Sequence, residues 1–172
     1  MKTRIIFCIT SILLINGCFF INGERNYYDE NGNLIMTRHY KHGKLHGEFI
    51  EYNSRGDTIF IRYYKNGRPE GISVSYCNNK IKLYTEWKDG KQDGLSKSYY
   101  ESGKLYQIVN FKDGFFDGEA ISYYENGNVK RFGQSKRGVN NGIWYYMNEQ
   151  GDTIKTEVYN CLLYTSDAAD DK

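Results

Sequence analysis

The chain has three histidines, His39, His42 and His46, and they lie close enough together to be weighed as metal ligands. A structural metal site needs three or four ligands of defined geometry, commonly completed by cysteine, and no cysteine lies near in sequence. His46 also takes a position that Glu70, Asp93, Asp117 and Asn141 take further along the chain, so its place is explained by a recurring turn. Neither a metal nor a cofactor is expected. The carboxylates Glu70, Asp93 and Asp117 could be imagined as an acid/base row. On stacked hairpins they would stand roughly 10 Å apart, two strand spacings, too far to share a proton. Ser73, Ser75, Ser96 and Ser98 have no histidine-containing partner motif beside them and read as packing residues. No catalytic residue is assigned, and the chain is not expected to be an enzyme.

The elements that hold these residues follow from composition and spacing. In 172 residues there are 18 Gly and 17 Tyr but a single Pro, a mixture suited to many tight turns joining strands. Basic and acidic residues, 23 and 21, are interleaved and leave a net charge of +2. No single-sign face for neutralising phosphates is expected, and nucleic-acid binding is disfavoured.

Gly-x-x-x-Gly occurs at Gly43/Gly47, Gly67/Gly71, Gly90/Gly94, Gly114/Gly118 and Gly138/Gly142, at intervals of 24, 23, 24 and 24 residues. These ten are read as structural turn glycines. A further glycine keeps the same beat at Gly32, Gly56, Gly103, Gly127 and Gly151. One copy has Asn79 near that place, and its missing residue accounts for the interval of 23. Dipeptides such as Asn66-Gly67, Asp89-Gly90, Asp113-Gly114, Asp117-Gly118 and Asn141-Gly142 favour hairpin reversal.

Between the glycines the residues alternate. Ile50/Tyr52, Val74/Tyr76, Ile121/Tyr123 and Tyr145/Met147 fall on one face, and Ser73/Ser75, Ser96/Ser98 and Ala120/Ser122 on the other. Phe49 and Trp144 break the small-residue rule. The second strand of each copy ends in an aromatic residue, Tyr40, Tyr64, Trp87, Phe111 and Tyr159, with Ser135 the exception, which predicts an aromatic ladder whose rings mostly cover one another. Tyr64, Trp87, Phe111, Trp144 and Tyr146 are the candidate binding aromatics. The fold expected is all-β: an elongated, single-layer antiparallel sheet of about six stacked hairpin units.

Lys2 and Arg4 precede an apolar stretch, Ile5 to Ile15, too short to span a bilayer. Ile15-Asn16-Gly17-Cys18 resembles the lipobox of bacterial lipoproteins, so residues 1–18 read as a signal peptide with Cys18 as the lipidated residue. Residues 19–26 read as a short linker and 27–160 as the repeat array. Residues 161–172, beginning Cys161-Leu162-Leu163-Tyr164, read as a translated sequencing-adapter artefact, which makes the repeat count a lower bound. Cys77 is then the lone cysteine of the folded part, and no disulfide framework is expected.

The glycine pattern, the polar residue before each second glycine (His46, Glu70, Asp93, Asp117, Asn141) and blocks such as Tyr99-Tyr100-Glu101-Ser102-Gly103-Lys104-Leu105 resemble the MORN-repeat variant of bacterial proteins. Many proteins with that repeat are described as antitoxin components of the YwqK type. The resemblance implies a MORN-like sheet and a protein-binding module of toxin–antitoxin or immunity type, with a protein partner such as a toxin. The signal implies export to the bacterial cell envelope, with a lipid anchor holding the chain to a membrane on the periplasmic or cell-surface side. The alternative is an envelope structural or glycan-binding lipoprotein. Replacing Cys18 by alanine is expected to abolish incorporation of labelled fatty acid and to release the protein from membranes; unchanged retention on membranes rejects the anchor.

Overall fold

The computed structural model describes residues 21–160. The signal, Cys18 and residues 161–172 lie outside the described residues. Within them every regular element is a strand: β1 (Gly23–Tyr28), β2 (Leu34–Lys41), β3 (Lys44–Tyr52), β4 (Thr58–Lys65), β5 (Arg68–Cys77), β6 (Lys80–Lys88), β7 (Lys91–Tyr99), β8 (Leu105–Lys112), β9 (Phe115–Tyr123), β10 (Val129–Lys136), β11 (Val139–Met147) and β12 (Thr153–Tyr159). They form one open 12-stranded antiparallel sheet in sequence order, six hairpins laid side by side. At the usual strand spacing the sheet runs about 50 Å across its strands. β1 begins at Gly23, inside the stretch read above as a linker.

The two edges of this ribbon are built by different turns. Along one edge the reversals His42-Gly43, Asn66-Gly67, Asp89-Gly90, Asp113-Gly114 and Arg137-Gly138 have positive φ at both residues. That is the two-residue turn whose twist matches paired strands. Along the other edge five loops are wider. At Asn53, for example, the amide donates to the Asp57 carbonyl and the Gly56 amide donates to the Asn53 carbonyl, a three-residue loop with glycine at its left-handed position. The same pair of bonds recurs at Asp29, Tyr100, Tyr124 and Asn148. The exception on that edge is Asn78-Asn79, both at positive φ, a two-residue turn in place of a three-residue loop. This is the residue missing from the 23-residue interval.

The second glycine of each motif is not at a reversal. Gly47, Gly71, Gly94, Gly118 and Gly142 lie inside β3, β5, β7, β9 and β11, and the turn assignment for these five is corrected accordingly. Each marks a bulge. Thr85 pairs with Ser96 and Trp87 with Gln92, so Glu86 alone faces Asp93-Gly94-Leu95. The extra residues push the β7 backbone under the side chain of Glu86, whose carboxylate accepts the Leu95 amide at 2.9 Å. Gly94 has φ +114, and a Cβ there would lie 3.0 Å from the Glu86 Cβ. Dipeptide composition could not reveal this, because a left-handed glycine after aspartate suits a bulge as well as a hairpin turn.

The alternation of faces holds, and burial falls chiefly on the side read as small, with Thr37 and Val74 the buried residues of the other face. Ser73, Thr85, Ser96, Val109, Ala120 and Trp144 are buried and follow one another across paired strands β5 to β11, with Gly133 between the last two. The aromatic ladder stands on this same face. Tyr64, Trp87, Phe111 and Tyr159 each pair directly with the bulge glycine of a neighbouring strand, and Tyr40 pairs with Gly23 at the start of β1. Each ring therefore has a glycine and small residues beside it, and the Trp87 indole donates to Ser73 Oγ at 2.8 Å. The rings are two strands apart, so they cover backbone and small side chains more than one another.

The last unit inverts this arrangement. Ser135 takes the ladder position, Trp144 takes the small position, and Gly133 opens the space that the indole fills. Trp144 is 2% exposed and packs with Val109 and Ala120, against Phe111, Tyr146 and Tyr159. Replacing Gly94 by valine forces a β-branched residue into a left-handed backbone and against Glu86, and is expected to cost about 1–3 kcal/mol from backbone strain alone; an unaltered melting curve contradicts the bulge account. Trp144→Ala is expected to cost about 3–5 kcal/mol, read from denaturant midpoints.

Candidate interaction surface

The polar residue before each bulge glycine has a role that sequence reading assigned to the turn itself. The structure assigns it to the following unit. Glu70 accepts the Asp89 amide at 2.8 Å, Asp93 accepts the Asp113 amide at 3.2 Å, and Asp117 accepts the Arg137 amide at 3.4 Å. Each captured amide belongs to the first residue of the next two-residue reversal. The second residue is held too: Gly90, Gly114 and Gly138 donate to the carbonyls of Pro69, Gln92 and Phe116. Two successive left-handed residues point their N–H groups out of their own hairpin, and a side-chain oxygen and an adjacent carbonyl of the preceding unit receive them.

Asn22 and Ile21 hold His42 and Gly43 in the same way. This first clasp was missed in sequence, although Asn22-Gly23 stands 24 residues before His46-Gly47. In the unit of His46 only the carbonyl half is present, from Gly67 to Leu45 at 2.7 Å. The His46 Nδ1 is buried with no hydrogen-bond partner among the described residues.

Lysines tighten two of the clasps. Lys112 lies 3.0 Å from Asp93 and Lys136 3.1 Å from Asp117. The Lys112 ammonium and then the Asp113 amide hold the Asp93 carboxyl below its ordinary range. Lys136 does the same for Asp117, supported by the Arg137 amide. These carboxylates are engaged as structural acceptors, one per unit. Of the other histidines, His39 contacts the Glu48 carbonyl through Nδ1 and lies 3.4 Å from Glu24 through Nε2, while His42 occupies a reversal. The three do not converge on a common point.

The wide edge is laced as well. The Tyr100 and Tyr124 hydroxyls donate to the carbonyls of Tyr123 and Met147, each one unit ahead. Lys104 reaches the Glu125 carbonyl, and Asn126 and Asn128 reach that of Glu149. Both turn rims thus hold neighbouring units together, which leaves the two faces, and the outer backbone of β1 and β12, as the surfaces open to a partner. No second layer of structure covers either face among the described residues.

The candidate binding aromatics are not equivalent. Tyr64, Trp87 and Phe111 stand in the ladder, half-buried, with Phe111 packed on Phe116 at 4.6 Å between centroids. Trp144 is core. Tyr146 donates to Glu157, which also takes the Tyr159 hydroxyl and Lys155. Lys155 first, then the two phenols, hold the Glu157 carboxyl down at about 2. Cys77 is a free, exposed thiol at the end of β5.

On the opposite face, Phe132 and Tyr145 stack at 4.7 Å with their planes 15° apart. They line an open cleft of about 340 Å³ together with Ile121, Ile143, Glu119, Gln134 and Asn141.

Three segments, residues 21–42, 92–113 and 116–131, match the family model of the MORN repeat variant. The first two begin at the clasping pair, Ile21-Asn22 and Gln92-Asp93, and end on the captured residue, His42 and Asp113. No curated protein matches the chain.

Because the folded-state Glu157 carboxyl is depressed from 4.5 to about 2, its contribution is complete above pH 4.5 and is lost as pH falls through about 2. Acid titration followed by tryptophan fluorescence is expected to show the last hairpin loosening in that window. In Glu157→Gln that transition should vanish; its persistence refutes the assignment.

Proposed function

We propose that the chain is a non-catalytic, protein-binding repeat module, exported and held to a membrane by lipid on Cys18, acting as an antitoxin-like or immunity component against a toxin in the cell envelope. The observation that carries this reading is the single sheet, uncovered among the described residues: its turn rims are taken up by contacts between units, while its faces display half-buried rings and aliphatic side chains. Ile72, Ile81, Ile143 and Val158 all stand exposed, and aromatic surface with a polar surround suits protein contact. The matches to the MORN repeat variant support a scaffold whose partner is chosen by surface residues. An envelope location removes the conflict between an export signal and neutralisation of a toxin in the cytoplasm.

The cleft beside Phe132 and Tyr145 favours a second reading, a glycan-binding envelope lipoprotein. An aromatic floor with a carboxylate and two amides at its rim suits a sugar ring and its hydroxyls. A pull-down from membrane extracts with the full chain separates the two. Capture of one small protein in stoichiometric amount supports the first reading; retention on cell-wall polysaccharide, lost in Phe132→Ala, replaces it with the second.

A further inference from the structure

Three arginines stand in one row on the ladder face at the start of the sheet. Arg25 on β1 and Arg38 on β2 are directly opposed, and Arg38 and Arg62, on β2 and β4, each pair with Phe49 of β3 between them. Like charges directly opposite one another weaken a sheet, yet none of the three makes an ion pair among the described residues. Glu51, opposite Met36 and Phe60, is the acid of β1–β4 on this face and stands two residues along the strand from Phe49.

Two of the guanidinium groups, those of Arg38 and Arg62, are held in place by rings instead, and the Arg38 Nε also donates to Met36 Sδ at 2.8 Å. Arg38 lies 4.8 Å from the Tyr27 centroid and 5.4 Å from that of Phe49, and it also faces the hydroxyls of Tyr27 and Tyr40. Arg62 lies 4.9 Å from Phe60 and 4.6 Å from Trp87, and its Nε is buried without a hydrogen-bond partner. Stacking fixes the plane of a guanidinium while leaving in-plane N–H groups to donate, and the side-chain entropy of binding has already been lost. Three cations farther along the sheet have acids instead: Lys155 has Glu157, Lys112 has Asp93 and Lys136 has Asp117, while Arg131 stacks singly on Trp144 at 4.9 Å, with no second arginine in its row.

We propose that the row Arg25–Arg38–Arg62, with Phe49 at its centre, is the docking site for an extended acidic segment of a protein partner lying across strands β1 to β4. This rests on the protein-binding reading above. Arg38 and Arg62 are two strands apart, roughly 10 Å, which matches acidic residues three positions apart on a segment in the polyproline II conformation, whose three-residue turn brings them to one face. Planar carboxylates suit bidentate pairing with the guanidinium fork. Three cations with Glu51 nearby, on a chain of net charge +2, offer little to a phosphate backbone, whose affinity grows with the number of charges neutralised.

The test uses a short fluorescein-labelled peptide with glutamate at every third position and alanine between, compared with its glutamine counterpart by fluorescence anisotropy. The glutamate peptide is expected to bind the full chain and the glutamine peptide at least tenfold more weakly, about the effect of losing one good charge pair. Arg38→Gln and Arg62→Gln should each lose roughly tenfold, and Arg25→Gln, an exposed position outside the ring stacks, should move in the same direction without disturbing packing. Arg131→Gln at the far end should leave binding unchanged. Equal binding of both peptides, or indifference to all three row variants, overturns the proposal, as does tighter binding of a single-stranded oligonucleotide lost in the same variants. In the membrane-extract pull-down, a partner captured equally by the wild type and by the Arg38→Gln/Arg62→Gln double variant overturns this site while the protein-binding reading stands. Failure of the wild type to capture any protein overturns that reading instead.

Discussion

A two-residue reversal with both residues left-handed turns two consecutive backbone N–H groups outward, where its own hairpin cannot receive them. In this chain the preceding unit receives them, through the oxygen of Asn22, Glu70, Asp93 or Asp117 and through the carbonyl one residue earlier. A lone hairpin is marginal in water, and the clasp ties each one to a neighbour at the point where it would fray first. The bulge at the following glycine belongs to the same device, since it bends the strand as the clasping residue leaves it. The remainder of the architecture follows from repeating this contact: one layer, one direction of growth, and cooperation only between adjacent units.

The ladder face shows how a single layer finds a core. A ring opposite a glycine shields backbone that has no side chain of its own, and the small residues in the next row leave room for it to lie down. Volume, more than residue type, is what each unit maintains. The final unit makes this plain, since a serine in the ladder and Gly133 are matched by an indole from the row of small residues, and Trp144 becomes the most completely buried ring of the structure.

Much of this was legible in the sequence. The glycine beat fixed the hairpin count, the alternation placed residues correctly on two faces, and the interval of 23 located the shortened turn at Asn78-Asn79. Other features were hidden for physical reasons. Asp117-Gly118 and Asn66-Gly67 are equivalent as dipeptides, yet one sits in a bulge and the other in a reversal, and only the register of the neighbouring strand tells them apart. Alternation separated an apolar face from one of small residues without saying which is the drier, because rings projecting over serine and threonine determine what water reaches. The arginine row was invisible because Arg25, Arg38 and Arg62 are far apart in sequence and meet only when β1 to β4 are laid together; a balanced net charge concealed a local excess.

Because every strand runs across the long direction of the ribbon and the chain enters at β1 and leaves at β12, the two ends of the described chain lie at opposite extremes of the sheet. Tension applied between those ends does not shear the strands past one another. It opens the ladder bond by bond, in the manner of a zipper, and each released hairpin adds its contour length before the next clasp is loaded. Such a ribbon is mechanically soft and extensible, and it yields hairpin by hairpin.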